Sequence, residues 1–247
     1  MALFKKRIPH SDDSDDVLRI LNEDTPFAIK EAFGTLRTNM LYLPIEGKCR
    51  KICVTSAFSG EGKTYVSVNL AISFADNMDG KKVLLIDTDM RKPRVKRLLR
   101  HQLQQSDDKS GLSEYLAGIT DKPNYLKTSN ENLFVLSSGT SNANPSGLIN
   151  SSRTKKLFED ASEKFDYIII DSPPVGIVTD PLIISSIISG YLIVTRADYS
   201  DVRSLSEVVN NIERVDGNIL GIVLSETDPK KSKVNPKYNN YSNNEYD

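Results

Sequence analysis

Residues 56–64 read SAFSGEGKT. The apolar run Ile52-Cys53-Val54 precedes them, and YVSVNLAISFA follows at 65–75. A strand, a glycine-bearing loop ending in Gly-Lys-Thr and a helix start, in that order, make the phosphate-binding pattern GxxxxGK[ST]. Its glycines let backbone N–H groups turn inward, and the helix start adds its positive end. Gly60, Gly62, Lys63 and Thr64 fit, while Ala57 stands where the first glycine belongs. Ser59, Gly60, Glu61, Gly62, Lys63, Thr64 and Tyr65 are therefore expected to surround a nucleotide's phosphates. Lys63 would reach the β- and γ-phosphates, and the Thr64 hydroxyl would sit on Mg²⁺. The competing reading is a glycine turn that binds nothing; the conjunction of all four features weighs against it.

Short apolar runs recur on either side, at 52–54, 83–86, 133–136, 167–170, 191–195 and 219–224. Helix-period stretches separate several of them, at 63–76, 152–163, 179–189 and 202–214. Runs such as VLLI and YIII are apolar at every position, as strands covered on both faces of a parallel sheet are. The spacing predicts one doubly wound α/β domain with a mostly parallel sheet flanked by helices, the P-loop NTPase architecture. A further helix is predicted over 27–42, with Thr25 as its N-cap, Pro26 as its first residue and Pro44 and Gly47 ending it.

Two acidic motifs close predicted strands. LLIDTDMR, at 84–91, places Asp87 and Asp89 two residues apart, on one face if the strand continues. YIIIDSPP, at 167–174, places Asp171 at a buried strand's carboxyl end. An aspartate there can hold Mg²⁺ directly or through water. Carboxylates often close strands without a ligand, so neither motif carries weight alone. Together with the loop they bring three carboxylates to the strand ends where α/β sheets bind ligands.

Composition narrows the classes. The chain has 247 residues, 26% charged and 38% hydrophobic, with a net charge of −1. Near-neutrality gives no reason to expect nucleic acid as a partner. The basic run RKPRVKRLLR at 91–100 reads as a solvated helix face, Arg91 excepted because it lies within the acidic motif. Cys49 and Cys53 cannot form a disulfide framework and read as reduced structural residues of a cytosolic protein. His10 and His101 have no Cys or His neighbours, which argues against a zinc site. The longest apolar segment, 181–194, is interrupted by serines and shorter than the ~20 residues of a spanning helix. Residues 1–24, with SDDSDD at 11–16, read as a mobile arm, 25–227 as the folded domain and 228–247 as a disordered tail. That tail carries Tyr238, Tyr241 and Tyr246, an unusual choice for a solvated segment.

SxxxGEGKT, LLIDTDMR, IIIDSPP and a tail of clustered tyrosines together resemble the bacterial tyrosine kinases of capsule and exopolysaccharide systems, in particular the soluble type in which the kinase is a separate chain. The resemblance runs from about residue 27 to the C-terminus and includes GLSEYLAG (111–118), NPSGLINS (144–151) and VGIVTDP (175–181). It implies an ATP- and Mg²⁺-dependent kinase. Lys63 and Thr64 match the Walker A ends, Asp87, Asp89 and Arg91 the A′ motif, and Asp171 Walker B. Asp89 would take the tyrosine proton, with Asp87 nearer the metal. Tyr238, Tyr241 and Tyr246 match the autophosphorylation sites. The resemblance also implies a transmembrane adaptor of the polysaccharide co-polymerase type, recruitment to the inner face of the cell membrane, a tyrosine phosphatase, and a homo-oligomeric ring held through Glu31, Arg37 and Asn39. Departures are Ser59 for a common proline, Gly147 for a common glutamate, and Gly34 where the first arginine of the oligomer motif belongs. Gly34 puts the ring octamer in question.

Two other readings compete: a Min/Par-like nucleotide-switch ATPase, and a non-catalytic ADP-binding scaffold. The first usually carries an early loop lysine, absent from Ser56-Ala57-Phe58-Ser59, and leaves the tyrosines unexplained. Retention of Lys63, Asp87, Asp89 and Asp171 speaks against the second.

Overall fold

A computed structural model describes residues 20–45, 47–77, 80–104, 109–140, 144–197 and 199–226. Tyr238, Tyr241 and Tyr246 lie outside the described residues, as does the arm up to residue 19.

In chain order the elements are α1 (Phe27–Tyr42), β1 (Arg50–Ser56), α2 (Lys63–Asn77), β2 (Val83–Asp87), α3 (Val95–Leu98), α4 (Leu112–Leu116), β3 (Leu126–Lys127), β4 (Leu133–Leu136), α5 (Pro145–Ile149), α6 (Ser152–Ser162), β5 (Tyr167–Asp171), α7 (Asp180–Ile183), β6 (Gly190–Arg196), α8 (Val202–Glu213) and β7 (Ile219–Ser225). The seven strands form one sheet in the order β3-β4-β2-β5-β1-β6-β7. Every pairing is parallel except β3 with β4. The doubly wound α/β expectation holds, with each of the six predicted apolar runs lying in a strand.

Alternation along the strands explains the two-layer cover. Ile52, Val54, Leu85, Ile169, Leu192 and Val194 face a core closed by α1 and α2. Cys53, Leu84, Ile86, Ile168, Ile170 and Ile193 face a second core closed by α4, α6 and α8. Strands β2 and β5 are buried at every position, which their unbroken apolar runs require. Both cysteines are free and buried, and burial pushes the Cys53 thiol up to about 12.

Three local readings change. Helix α1 begins at Phe27 with Pro26 extended before it, and the Thr25 hydroxyl accepts from the Asn22 N–H at 2.9 Å instead of capping the helix. Ile20 and Leu21, within the expected arm, are buried, and the Leu21 N–H donates to Asn69 Oδ1 at 2.7 Å. The predicted helix over 179–189 is only α7 and a 3₁₀ turn, Ser185–Ile187. Its isoleucines are stiff at χ1 and its serines compete for backbone groups. Gly190 then turns the chain with φ +155° into β6. Among the described residues, no helix is long and apolar enough to cross a membrane.

Candidate active site

The loop between β1 and α2 sits at the carboxyl end of the sheet's central strands, where the winding direction reverses and α/β sheets bind ligands. Gly60 and Gly62 have φ of +91° and +89°, the left-handed conformation that glycine adopts without strain. Between them Glu61 is fully buried. Its carboxylate accepts from the Phe58 N–H and the Ser200 hydroxyl, while its carbonyl accepts from Ser225 Oγ at 2.7 Å. Glu61 thus ties the loop to the segment between β6 and α8 and to the end of β7. Ser59 and Gly60 are exposed on the rim, and Tyr65 meets Phe33 edge-on, with ring centroids 5.8 Å apart.

A second wall comes from the segment after β5. The Val175 N–H donates to Thr55 Oγ1 at 3.1 Å, and Ser172 Oγ donates to the Val54 carbonyl at 2.8 Å. A Cβ on Gly176 would lie 2.4 Å from the Ala57 carbonyl oxygen, so only glycine allows this approach.

The carboxylates converge as the sequence predicts. Asp87 and Asp171 are register partners across β2 and β5, and both are buried. Asp171 Oδ1 accepts from Ser67 Oγ at 2.9 Å, and the Thr64 hydroxyl also bonds this carboxylate. Asp87 accepts from the N–H groups of Asp89, Arg94 and Val95 at 3.1–3.2 Å. The basic run therefore folds its first turn around Asp87, with Val95 and Leu98 buried and Lys96 and Arg97 outward. Burial and the facing Asp171 charge push the Asp87 carboxyl well above the usual range. Burial likewise pushes Asp171 up to about 6, against the opposing pull of Lys63. Burial pulls the Lys63 ammonium down, while Asp171, Asp89 and Glu61 push it back.

Two adjacent buried carboxylates of one sign form an arrangement that a cation would relieve. The donor set around them, Thr64, Asp87 and Asp171, is all oxygen, which suits Mg²⁺. Among the described residues no three Asp, Glu, His or Cys side chains form a ready metal cage. Mg²⁺ is commonly held by one or two carboxylates, water and substrate phosphates.

Asp89 is only half-buried, nearer solvent than Asp87, and its Oδ1 accepts from the Lys92 N–H at 3.0 Å. Arg91 turns toward Asp180, and its Nη2 lies 3.0 Å from Asp180 Oδ2. The sequence reading missed Asp180, Glu61's anchoring by Ser200 and Ser225, and the role of Gly176; their partners lie far away in the chain. Of the residues expected at an oligomer contact, Glu31 and Asn39 are exposed on α1. Arg37 instead binds α2 of its own chain, donating to the Ser73 carbonyl at 3.0 Å and to Ser73 Oγ at 2.8 Å.

Comparison with known proteins agrees with this geometry. An AAA domain family model matches residues 49–221. Tyrosine-protein kinase CpsD of Streptococcus pneumoniae serotype 4 is 36% identical over 206 residues, covering 83% of this chain and 87% of that protein. The chimerical protein CapA2B2 superposes with a TM-score of 0.74 at 29% identity, covering 85% of this chain and 89% of that one. The kinase domain of the Escherichia coli tyrosine kinase ETK gives 0.73 at 28% identity, covering 91% and 92%. With its phosphate loop, paired aspartates and these relatives, the chain belongs to the P-loop family of bacterial tyrosine-protein kinases that includes CpsD.

Proposed function

We propose that the protein transfers the γ-phosphoryl group of ATP to tyrosines of its own tail, Tyr238, Tyr241 and Tyr246, and thereby regulates capsular or exopolysaccharide synthesis and export. The observation that carries this reading is the division among the three carboxylates. Asp87 and Asp171 are deep and paired, while Asp89 stands beside them nearer solvent, where a phenol can approach.

Phosphoryl transfer is mostly positioning and charge neutralisation. The backbone N–H groups of residues 59–65 would cradle the phosphates, and Lys63 would draw charge from the β/γ bridge. Thr64, Asp87 and Asp171 would hold Mg²⁺, directly or through water. When bound, Mg²⁺ neutralises charge on the β- and γ-oxygens. Asp89 accepts the phenol proton as the tyrosine oxygen attacks, and the Arg91 guanidinium faces the charge on the transferred group.

The tail holds four lysines against three carboxylates. Each phosphotyrosine adds about −1.5 to −2 charges, so full modification reverses its sign. This makes tail phosphorylation an assembly switch, with transfer onto neighbouring copies in a homo-oligomer. A membrane-spanning adaptor of the polysaccharide co-polymerase type would recruit and activate the kinase at the inner face of the membrane, and a tyrosine phosphatase would reset the tail.

The test is incubation of the full chain with ATP and Mg²⁺, with and without an adaptor's cytoplasmic segment, followed by mass-spectrometric mapping beside a Lys63→Met control. Phosphate on the tail tyrosines, absent from the control, is expected. ATP hydrolysis with an unmodified tail in the adaptor's presence overturns the reading.

A further inference from the structure

Two quoted motifs, NPSGLINS and VGIVTDP, contain residues that the transfer chemistry leaves unassigned. The fold brings them together at one point. Ser146, from α5, and Asp180, the first residue of α7, close on the same guanidinium. Arg91 Nη2 lies 3.0 and 3.3 Å from the two Asp180 carboxylate oxygens and 3.3 Å from Ser146 Oγ. The Ser146 hydroxyl also donates to Asp180 Oδ1.

We propose that Asp180 and Ser146 are positioning residues that form a socket for Arg91 and fix its guanidinium toward the transferred phosphoryl group; this rests on the kinase reading above. Asp180 is 1% exposed, and a carboxylate that deep must be paired and hydrogen-bonded. Arg91 keeps 40% of its side-chain surface open. Among the described residues its Nε and Nη1 make no hydrogen bond, so the socket grips one corner of the fork and leaves the rest for an anion. An arginine two residues beyond Asp89 would otherwise sweep a wide volume of solvent. Catalysis by a charge needs that charge in place before the reaction.

The surrounding sequence builds the socket's two halves. Asn144 Oδ1 accepts from the Gly147 N–H at 3.1 Å and so caps α5, presenting Ser146. A Cβ at position 147 would lie 2.4 Å from Asn144 Nδ2, so Gly147 lets this cap close. On the other side, the segment ending in Asp180 is laid against the end of β1 by the Val175 bond to Thr55 and against the phosphate loop where Gly176 abuts Ala57. Arg91 is therefore referenced to the same loop that holds the phosphates.

The experiment is a double-mutant cycle on the full chain. Tail phosphorylation would be measured at saturating ATP and Mg²⁺, and ATP affinity separately, for wild type, Asp180→Asn, Arg91→Ala and the double variant. Misplaced charge in such a step costs on the order of 10²-fold in rate, so Asp180→Asn should lose about 10–100-fold in kcat with ATP affinity little changed. Asp180→Glu, which restores the carboxylate, should recover part of that loss. In the Arg91→Ala background Asp180→Asn should slow the enzyme no further, because its effect passes through Arg91. A full further loss in that background, or a raised KM with kcat unchanged, overturns the socket. If Asp180→Asn does not fold, Ser146→Ala enters the same cycle with a smaller expected loss and the same criterion. A wild type that hydrolyses ATP without modifying tyrosine overturns the kinase reading alone, and the cycle is then read on hydrolysis.

Discussion

Asp87 and Asp171 face one another as register partners on adjacent parallel strands, both buried at the carboxyl ends of β2 and β5. Strand pairing imposes this closeness; no side-chain choice relaxes it. The neighbouring groups compensate only partly, through three backbone N–H groups on Asp87, and through the buried Lys63 charge and the Thr64 and Ser67 hydroxyls on Asp171.

Asp171→Asn should therefore make the nucleotide-free protein more stable while removing its activity. An asparagine oxygen can still accept from Ser67, and the like-charge pair disappears. A gain of about 1 kcal/mol is expected, with a loss of at least ~100-fold in tail phosphorylation, as at other sites where function is built on local destabilisation. Chemical denaturation without nucleotide and phosphate mapping with it give the two numbers. A variant less stable than wild type would mean that the loss of Asp171's pull on buried Lys63 outweighs the relief of the like-charge pair.

Glu114 gives the pH dependence. Burial pushes its carboxyl up, but bonds from the Thr140 hydroxyl and N–H and the Gly111 N–H outweigh this and hold it at about 2, against 4.5 for a free glutamate. A carboxyl depressed in the folded state stabilises the fold above its unfolded pKa, and that contribution is lost as pH falls through the folded value. Glu114→Gln should thus cost roughly 2–3 kcal/mol at pH 7. The gap between variant and wild type should hold down to about pH 4.5 and close toward pH 2. Denaturation midpoints of both proteins across that range test this, and a gap that stays constant sinks it.

What the sequence revealed and what it hid divide along the range of the interactions. The strands were legible because burial on both faces forces unbroken apolar runs, and Lys63, Thr64, Asp87, Asp89 and Asp171 stood out as candidates because phosphate and metal chemistry asks for fixed types at helix starts and strand ends. Asp180 was not, since its partner Arg91 is 89 positions away and TDP reads equally well as a helix start. Arg37 was expected at an oligomer contact because its motif resembles a contact motif. Its neighbour Ser73 shows only when α1 is laid on α2. The apolar run near 184 misled in the other direction: Ile184 fills the core from the junction between α7 and a 3₁₀ turn, so hydrophobic content there reported burial and not a long helix.

Gly176→Ala should uncouple the wall after β5 from the phosphate loop. The added methyl would lie 2.4 Å from the Ala57 carbonyl oxygen and 3.1 Å from its carbon and Cα. These are backbone atoms, so the two segments must part. ATP affinity should fall about tenfold or more, while overall stability falls by about 1–3 kcal/mol, the usual range for overpacking. Calorimetric titration with ATP and Mg²⁺ tests it, and unchanged affinity would show that the loop tolerates the separation.

Substitutions on helix α1 test folding and the proposed assembly separately. Arg37→Ala removes two bonds to Ser73 within the chain, so it should cost about 1–2 kcal/mol of stability at any protein concentration. Glu31→Ala and Asn39→Ala, on the exposed side, should leave stability within about 0.5 kcal/mol and alter only the mass in solution. Gly34 distinguishes the two effects further, because nothing lies within 4 Å of an added Cβ there. Gly34→Ala should then stabilise the helix by about 1 kcal/mol without changing assembly. Gly34→Arg supplies the same helix gain together with the cation that the family's oligomer motif carries at this position. Light scattering across a concentration series should show larger assemblies for Gly34→Arg than for Gly34→Ala. Equal masses for the two would place the control of assembly elsewhere on the chain.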